Sequence, residues 1–264
     1  MSTKQPILLT INSHDPSGGA GVVADIETAT SLGCHCVSAI TALNVRDTRN
    51  LKDRQSTSAA LLIEQVRVAL EDTDVTAIKV GDVASIAQAE VIHTILVEYP
   101  DIPVVLDPVL HHGAADGDVA EAIRMLLMPR ADLAIMSTDH IATLSSCGDS
   151  VGACIQELLE FGCGQILATV VNNTGGSAGE RSKITNRLYS TRGLVKEYQW
   201  DVLPQTFHGA GSTLSAAVAA YLAHGFELLE ALQQGQQFTS QALIHARRVG
   251  MGGLIPDRLF WCRK

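Results

Sequence analysis

Residues 7–43 read ILLTINSHDPSGGAGVVADIETATSLGCHCVSAITAL, an aliphatic run, a glycine-rich turn, a helical pattern and a second aliphatic run in succession. The runs Ile7–Ile11 and Cys36–Leu43 have the length and the β-branched content of buried strands. Gly21–Leu32, between them, has the pattern of a helix. A helix that joins two strands is the unit of a parallel sheet, because parallel neighbours need a long crossover. The stretch therefore predicts the β–α–β beginning of an α/β fold.

The same alternation continues to the end of the chain. Further strands are predicted at Thr76–Val80, Val104–Leu106, Leu133–Met136 and Gln165–Val170, and a hairpin at Arg187–Ser190 and Leu194–Tyr198. Further helices are predicted at Ser58–Leu70, Ile86–Val97, Val119–Leu127, Val151–Phe161, Ser212–His224 and Leu228–Arg247. This order predicts a mostly parallel sheet with helices on both faces. Because no linker or repeat interrupts it, we expect residues 1–264 to form a single domain.

Composition and charge exclude several classes of protein. The 264 residues are 46% hydrophobic and 18% charged, which is typical of a folded globular chain. The formal net charge of −9 offers no basic surface to nucleic acid or to an anionic membrane. No stretch approaches the roughly 18 apolar residues of a membrane-spanning helix, and the start of the chain lacks a signal peptide's hydrophobic region. The six cysteines form no C-x-x-C pair, which favours free thiols, and we expect a cytoplasmic protein.

Two glycine-rich turns are candidate ligand sites. The first, Asn12–Gly21 (NSHDPSGGAG), lies between the first strand and the first helix and is called the first corner. The second, Phe207–Thr213 (FHGAGST), opens an alanine-rich helix and is called the second corner. Free N–H groups at a helix N-terminus, together with the helix dipole, favour an anion there. Each turn alone can be a tight turn that needs glycine, but the pair favours a ligand site at the carboxyl ends of parallel strands.

A dinucleotide site is an alternative interpretation of the first corner. Gly19-x-Gly21-x-x-Ala24 fits the fingerprint G-x-G-x-x-G/A, and Asp47 lies near the end of the second strand. The fingerprint expects glycine directly after the strand, however, whereas seven residues separate Ile11 from Gly19. It also leaves the second corner unexplained. Neither corner matches the phosphate-binding loop G-x-x-x-x-G-K-[ST].

The stretch Asp15–Asp25 (DPSGGAGVVAD) resembles the D-P-S-G-G-A-G-x-x-A-D signature of the hydroxymethylpyrimidine/phosphomethylpyrimidine kinases of thiamine biosynthesis. The resemblance continues through Ser38–Leu43, Ile78–Gly81, Asp107–Val109 and His208–Ala217. It implies a ribokinase-like three-layer αβα sandwich with a mostly parallel central sheet, often dimeric, so a homodimer is expected. It also implies transfer of the ATP γ-phosphoryl group to the hydroxymethyl oxygen of the pyrimidine, and then to the monophosphate.

The resemblance further implies roles for single residues. The acceptor alcohol would lie against the first corner and nearby strand ends, at Ser13, Asp15, Gly19, Asp25, Arg46, Asp82 and Val109. The transferring phosphoryl group would lie against the second corner, at His208, Gly209, Ala210, Gly211 and Ser212. ATP and its Mg²⁺ would lie against Asp107, Ser137, Asp139 and Thr169, of which Asp107 is the candidate Mg²⁺ ligand.

Several residues depart from the family pattern where ATP is handled. Ser212 stands where the family has cysteine, and an unassisted serine hydroxyl is a weak base. His208 is either a substitute base or a residue that holds the turn. The family's T-P-N-x-x-E segment aligns with Ser137 at the asparagine and His140 at the glutamate. Its K-G-G-H segment aligns with Thr169–Asn172, which removes a lysine expected near the phosphates.

The acceptor pocket departs from the pattern as well. Arg46 and Asp47 stand where the family has glutamine and asparagine, and Asp82 stands where methionine follows K-I-G. We interpret Arg46 and Asp82 either as contacts to a different heterocycle or as an ion pair on the surface. The pair His111-His112 suggests a metal site by composition, but adjacent residues rarely bind one ion together, so loop histidines are expected.

Three functions remain open from the sequence. The first is a kinase of the thiamine pyrimidine branch, or of a related heterocyclic alcohol such as pyridoxal, with a modified ATP site. The second is a catalytically inactive protein that keeps the pyrimidine pocket for regulation. The third is the dinucleotide enzyme. The match over nearly the whole chain favours the kinase.

Overall fold

The computed structural model describes residues 5–110, 116–146, 148, 150–172 and 183–262, which contain one nine-stranded sheet. Its strands are β1 Ile7–His14, β2 His35–Arg46, β3 Leu51–Ser56, β4 Ala77–Val80, β5 Val104–Leu106, β6 Leu133–Ser137, β7 Gln165–Asn172, β8 Lys183–Ser190 and β9 Gly193–Asp201. They lie in the order β3-β2-β1-β4-β5-β6-β7-β8-β9. From β2 to β7 all neighbours are parallel, and β3, β8 and β9 are antiparallel to theirs. The predicted mostly parallel sheet is confirmed.

Helices cover both faces of this sheet. They are α1 Gly21–Ser31, α2 Ala59–Asp72, α3 Ile86–Glu98, α4 Asp116–Ala122, α5 Thr138–Leu144, α6 Val151–Glu160, α7 Ala210–Ala223 and α8 Leu228–Ile244. A π-helical turn and a 3-10 turn extend α4 to residue 130. Helices α2 to α6 pack on one face, and α1, α7 and α8 pack on the other. The result is the three-layer αβα sandwich that the sequence predicts.

Alternate residues of the central strands serve two separate cores. In β1, Leu9 and Ile11 belong to the core under α2 to α6, whereas Leu8 belongs to the core under α1, α7 and α8. Successive strand residues point to opposite faces. Thr10 therefore shares the face of Leu8, and Lys79 of β4 shares the face of Ala77, although both are polar and fully buried. Polar groups thus enter the layer between the sheet and α7.

Three elements depart from the sequence prediction. Strand β3 (LKDRQS) is not predicted, because it has a single apolar residue and pairs only with β2 at the sheet edge. Helix α5 is also not predicted. It has seven residues and begins at the Ser137 hydroxyl, which accepts a hydrogen bond from the amide of His140. Helix α8 ends at Ile244, three residues before the predicted end.

Other predictions concern cysteines and membranes. Cys34, Cys36, Cys154, Cys163 and Cys262 are free thiols, as expected. Among the described residues no helix combines the length and the apolar character needed to cross a membrane. Cys147 and the His111-His112 pair lie outside the described residues.

Candidate functional site at the carboxyl edge of the sheet

The two glycine-rich corners lie against each other. The carbonyl oxygen of Gly19 packs on the α-carbon of Gly209, and the ring of His208 packs on the α-carbon of Gly19. A methyl group on either glycine would overlap with the other corner. His208 Nε2 lies 2.6 Å from Oδ2 of Asp15. The corners are close because β1 and α7 both present these turns at the carboxyl edge of the sheet, where α/β proteins bind ligands.

Asp15 organises the first corner. Its carboxylate accepts hydrogen bonds from the amide and hydroxyl of Ser17, at 2.8 and 2.7 Å, and from the amide of Ala20 at 3.0 Å. Burial alone raises the pKa of Asp15, but the hydrogen bonds from His208 and Ser17 more than offset it, so this pKa falls to about 2. The loop is therefore folded around an ionised carboxylate. Although β1 extends to His14, four residues still separate its end from Gly19, so the glycines of the fingerprint do not directly follow the strand as a dinucleotide site requires.

The second corner places free amides at the start of α7. Gly209 caps this helix in the left-handed region, with φ 96°. The amide of Thr213 donates to the carbonyl of Gly209 at 2.9 Å. The amides of Ala210, Gly211 and Ser212 precede that bond and have no acceptor within the helix. An added methyl group on Gly211 would meet open space. The arrangement can hold an anion, since amides and helix dipole both favour negative charge.

A buried charge cluster lies beneath the two corners. Lys79 Nζ is 2.5 Å from Oδ1 of Asp25 and 3.6 Å from Oδ2 of Asp107, and its side chain is fully buried. Asp25 Oδ2 accepts from Thr10 at 2.6 Å and from Asn12 at 2.9 Å. Asp25, which we expect from the sequence to border the acceptor pocket, is 0% exposed, and both of its carboxylate oxygens bond to groups inside the protein. The sequence analysis did not single out Lys79 for this position.

The side chain of Asn12 connects β1 with the end of β4. Its Oδ1 accepts from the amides of Ser13 and Asp82, both at 2.9 Å. Asp82 forms a short ion pair with Arg54 of β3. The sequence leaves two interpretations of Arg46 and Asp82, contacts to a heterocycle or an ion pair with each other, and the structure gives Asp82 an ion pair with Arg54. Arg46 lies instead beside the first corner, with its Nε 3.8 Å from Oδ1 of Asp15.

A cavity of about 480 Å³ adjoins the first corner. It is lined by Pro16 and Ser17, by Arg46–Arg49 at the β2–β3 turn, and by Val249–Met251. The Nε of Arg49 donates to the carbonyl of Met251 at 3.1 Å. This bond joins the wall formed by the β2–β3 turn to the wall formed by residues 249–251. The cavity is wide enough for a small heterocycle.

The residues proposed for ATP lie farther along the same edge. Ser137 ends β6 and pairs in register with Thr169 of β7. The Thr169 hydroxyl donates to the carbonyl of Met136 at 3.3 Å, and Asp139 is exposed in the first turn of α5. Asp107 follows β5 and accepts from the Ser215 hydroxyl of α7 at 2.6 Å. The acceptor candidates on β1, β2 and β4 thus lie on one side of Asp107, and the ATP candidates on β6 and β7 on the other. Val109 lies two residues beyond Asp107 and is half-buried.

Among the residues that the structure describes, Asp107 is the candidate for metal binding. The part of the chain that the structure describes contains no group of three His, Cys, Asp or Glu side chains placed to hold a metal ion. Asp107 nevertheless fits a Mg²⁺ site shared with phosphate oxygens, because such sites need one or two carboxylates and several waters. Its side chain is 12% exposed, while Lys79 and Ser215 hold its Oδ2.

One residue of the site escaped the sequence analysis altogether. Arg258 is 1% exposed and donates to the carbonyls of Gly18 and Gly19 in the first corner and to the hydroxyl of Thr213 in the second. Burial lowers its pKa, and the hydrogen bond and charge of Glu27 oppose this effect. A lone arginine after a glycine-rich loop carries no periodic signal that would have marked it.

Comparison with known proteins gives matches over nearly the whole chain. A family profile described as phosphomethylpyrimidine kinase matches residues 15–256. A hydroxymethylpyrimidine/phosphomethylpyrimidine kinase of Mycobacterium bovis is 30% identical over 262 residues, which cover 94% of this chain and 91% of that protein. A probable thiamine biosynthetic bifunctional enzyme of Oryza sativa is 27% identical over 97% of this chain, which spans only 48% of its length.

Solved structures show the same fold. The ADP complex of Bacillus subtilis pyridoxal kinase superposes with a TM-score of 0.85 and 25% identity, covering 98% of this chain and 100% of that one.

Proposed function

Because the chain belongs to the phosphomethylpyrimidine kinase family and is a phosphotransferase, we propose that it transfers the γ-phosphoryl group of ATP to hydroxymethylpyrimidine or to its monophosphate. The observation that carries this proposal is the contact between the two corners. It brings the start of α7 against the first corner, whose residues Pro16 and Ser17 line the cavity that would hold the acceptor.

The start of α7 is the proposed site of transfer. The amides of Ala210, Gly211 and Ser212 would donate to the oxygens of the moving phosphoryl group, where charge is spread in the transition state. Gly209 provides the left-handed turn that exposes these amides. The helix dipole adds to the same field.

The acceptor would occupy the cavity beside the first corner. Arg46 lines this cavity and lies beside Asp15, so it would face the heterocycle. Asp25 and Lys79 would act from below, by fixing β4 against α1, rather than by contact with the acceptor. The amides of Ser13 and Asp82 donate to the Asn12 side chain, and both residues are buried, so they would support the acceptor site without lining the cavity.

ATP would extend from α7 toward β6 and β7. Asp107 would hold Mg²⁺, which when bound neutralises charge on the phosphates. Ser137, Asp139 and Thr169 would border the nucleotide, since they lie at the same sheet edge. The amides of α7 would make the main contacts to the phosphates of ATP, because the Ser137 hydroxyl already caps α5 and the Thr169 hydroxyl already donates to β6.

Proton removal need not be driven by a strong base. In a loose transition state the acceptor oxygen bonds to phosphorus while the bond from phosphorus to the ADP oxygen breaks. The hydroxyl proton then leaves late, so a serine at position 212 is compatible with turnover. His208 uses Nε2 to hold Asp15, which leaves Nδ1 to receive the proton directly or through water.

Pyridoxal is the second candidate acceptor. The high structural similarity to Bacillus subtilis pyridoxal kinase over the full chain favours it, as does Arg46 in place of the family's glutamine. A homodimer and a cytoplasmic location remain predictions of the sequence analysis.

The test is an assay of the purified chain with Mg²⁺–ATP and either hydroxymethylpyrimidine, its monophosphate or pyridoxal. We expect ADP and a phosphorylated pyrimidine to form, and mass spectrometry detects both products. If the pyrimidine raises the melting temperature while ATP does not, and no product forms, the protein is a binding protein and not a kinase.

The anion site is tested with two variants of one residue. Gly211→Asp places a carboxylate in front of the amides and should abolish turnover. Gly211→Ala adds a methyl group toward open space and should lose far less activity. Equal activity of the two variants would contradict the role of α7.

A further inference from the structure

Arg258 joins the two corners through one planar side chain. Its Nη1 donates to the carbonyl of Gly18 at 3.0 Å and its Nη2 to the carbonyl of Gly19 at 2.5 Å. Its Nε donates to the hydroxyl of Thr213 at 3.0 Å. The first two bonds reach the loop before α1, and the third reaches the first turn of α7. Three separately directed donors in a fixed plane can set the relative position of two loops.

The segment that carries Arg258 is itself bonded to the second corner. The amide of His208 donates to the carbonyl of Leu254 at 2.8 Å, and the amide of Leu254 donates to the carbonyl of Thr206 at 2.9 Å. The amide of Asp257 donates to the carbonyl of Ala242 in α8 at 2.9 Å. The backbone around Arg258 is therefore bonded to the second corner and to α8, while its side chain bonds to the first corner.

We propose that Arg258 is a positioning residue that keeps the acceptor loop in register with the free amides of α7. The inference rests on the proposed function, since it assigns the two corners to acceptor and phosphoryl group. The carbonyl oxygen of Gly19 contacts both the guanidinium of Arg258 and the α-carbon of Gly209, so Arg258 acts directly where the two corners meet. A shift of this carbonyl would separate the reacting groups, and misplacement by about 1 Å can cost on the order of 100-fold in rate.

A variant of Glu27 separates two roles of Arg258, the positioning of the corners and the neutralisation of a nearby negative charge. The Glu27 carboxylate accepts from Nη1 of Arg258 at 2.9 Å and is 45% exposed. It touches neither corner through this bond. Glu27→Gln removes the countercharge while leaving the bonds from Arg258 to both loops.

The kinetic test uses Arg258→Lys and a matched pair at Thr213. Lysine keeps the charge but offers a single nitrogen, so kcat should fall about 10- to 100-fold, with the KM for ATP changed less than about 3-fold. Thr213→Val should lower kcat as well, whereas Thr213→Ser keeps the hydroxyl and should restore it. Glu27→Gln should leave kcat within about 2-fold. The Thr213 hydroxyl also donates to the carbonyl of Gly209 at 2.8 Å, so the share of its effect that passes through Arg258 is measured in the double variant. Arg258→Lys with Thr213→Val should cost less than the two single effects combined, because the variants share the bond from Arg258 to Thr213.

A measurement without substrate separates this inference from the proposed function. Hydrogen exchange of the full chain should become faster at residues 17–21 in Arg258→Lys, while exchange in β5 and β6 stays unchanged. A folded Arg258→Lys with wild-type exchange and kcat would overturn the proposal, as would equal kcat for Thr213→Val and Thr213→Ser. If wild type shows no phosphoryl transfer, the proposed function fails, and the exchange result still decides whether Arg258 holds the loop.

Discussion

His208 and Asp15 are hydrogen-bonded across the two corners, with Nε2 of the imidazole 2.6 Å from Oδ2 of the carboxylate although 193 positions separate them in the chain. Through this bond the second corner, late in the chain, stabilises the first corner, which lies near the start of the chain. It also ties the folding of the site to the ionisation of one acid.

The first prediction concerns acid stability. The pKa of Asp15 is about 2 in the folded protein, against about 3.9 in an unfolded chain. A lowered pKa stabilises the fold above pH 4, and this contribution of about 2 kcal/mol is lost as the pH falls from about 4 to 2. Asp15→Asn should therefore be less stable than wild type at pH 6, and the difference should shrink toward pH 2.5.

Urea unfolding across this pH range checks the prediction. The exposed Asp118 of α4 offers a control of equal charge, because Asp118→Asn should follow the wild-type curve. Parallel curves for Asp15→Asn and wild type would show that the bond to His208 does not stabilise the folded state.

The second prediction concerns Gly209. It has φ 96° and its α-carbon packs on the carbonyl oxygen of Gly19, so Gly209→Ala introduces both backbone strain and overlap. Turnover should fall at least about 100-fold, because the corners must separate. Gly193 has φ 100° and open space around it, so Gly193→Ala carries the backbone strain alone. Similar kcat values for the two variants would show that the contact with Gly19 is unimportant.

The sequence predicts the layers of the fold for a simple physical reason. Parallel strands buried on both faces read as short aliphatic runs, and the crossover helices between them have their own period. The first corner follows the carboxyl end of a parallel strand, as expected, but the second corner follows β9, the antiparallel strand at the far end of the sheet. The motif therefore locates the second corner in the sequence, whereas its meeting with the first corner depends on the packing of α7 against β1 and α1.

Three features could not be predicted because they depend on distant partners. Strand β3 carries mostly polar residues and forms only because β2 offers an open edge. Arg54 of β3 forms an ion pair with Asp82, and Arg46 lies next to Asp15. The burial of Arg258 depends on hydrogen bonds to carbonyls of the first corner, such as that of Gly18, which lies 240 positions earlier in the chain. Local patterns carry no information on such pairings.

The third prediction concerns the buried cation beneath the site. Lys79→Met keeps the length of the side chain but leaves Asp25 as a buried charge without its partner, which should cost about 3–5 kcal/mol of unfolding free energy. Adding Asp25→Asn should recover part of this loss. The exposed Lys52, 2.9 Å from Asp47, is the control, and Lys52→Met should leave the urea midpoint nearly unchanged. A loss below about 1 kcal/mol for Lys79→Met would mean that the cluster is not electrostatically coupled.

The last prediction concerns the choice of acceptor. Arg46 lines the cavity where the family has glutamine, and a guanidinium that loses water against a neutral heterocycle without a matched acceptor costs about 1–3 kcal/mol. Arg46→Gln should therefore raise kcat/KM for hydroxymethylpyrimidine relative to pyridoxal by about 5- to 100-fold, with no change in the KM for ATP. Arg49→Gln, on the same wall but bonded to the carbonyl of Met251, is the matched control and should leave the ratio unchanged. An unchanged ratio for Arg46→Gln would place the acceptor away from this side chain.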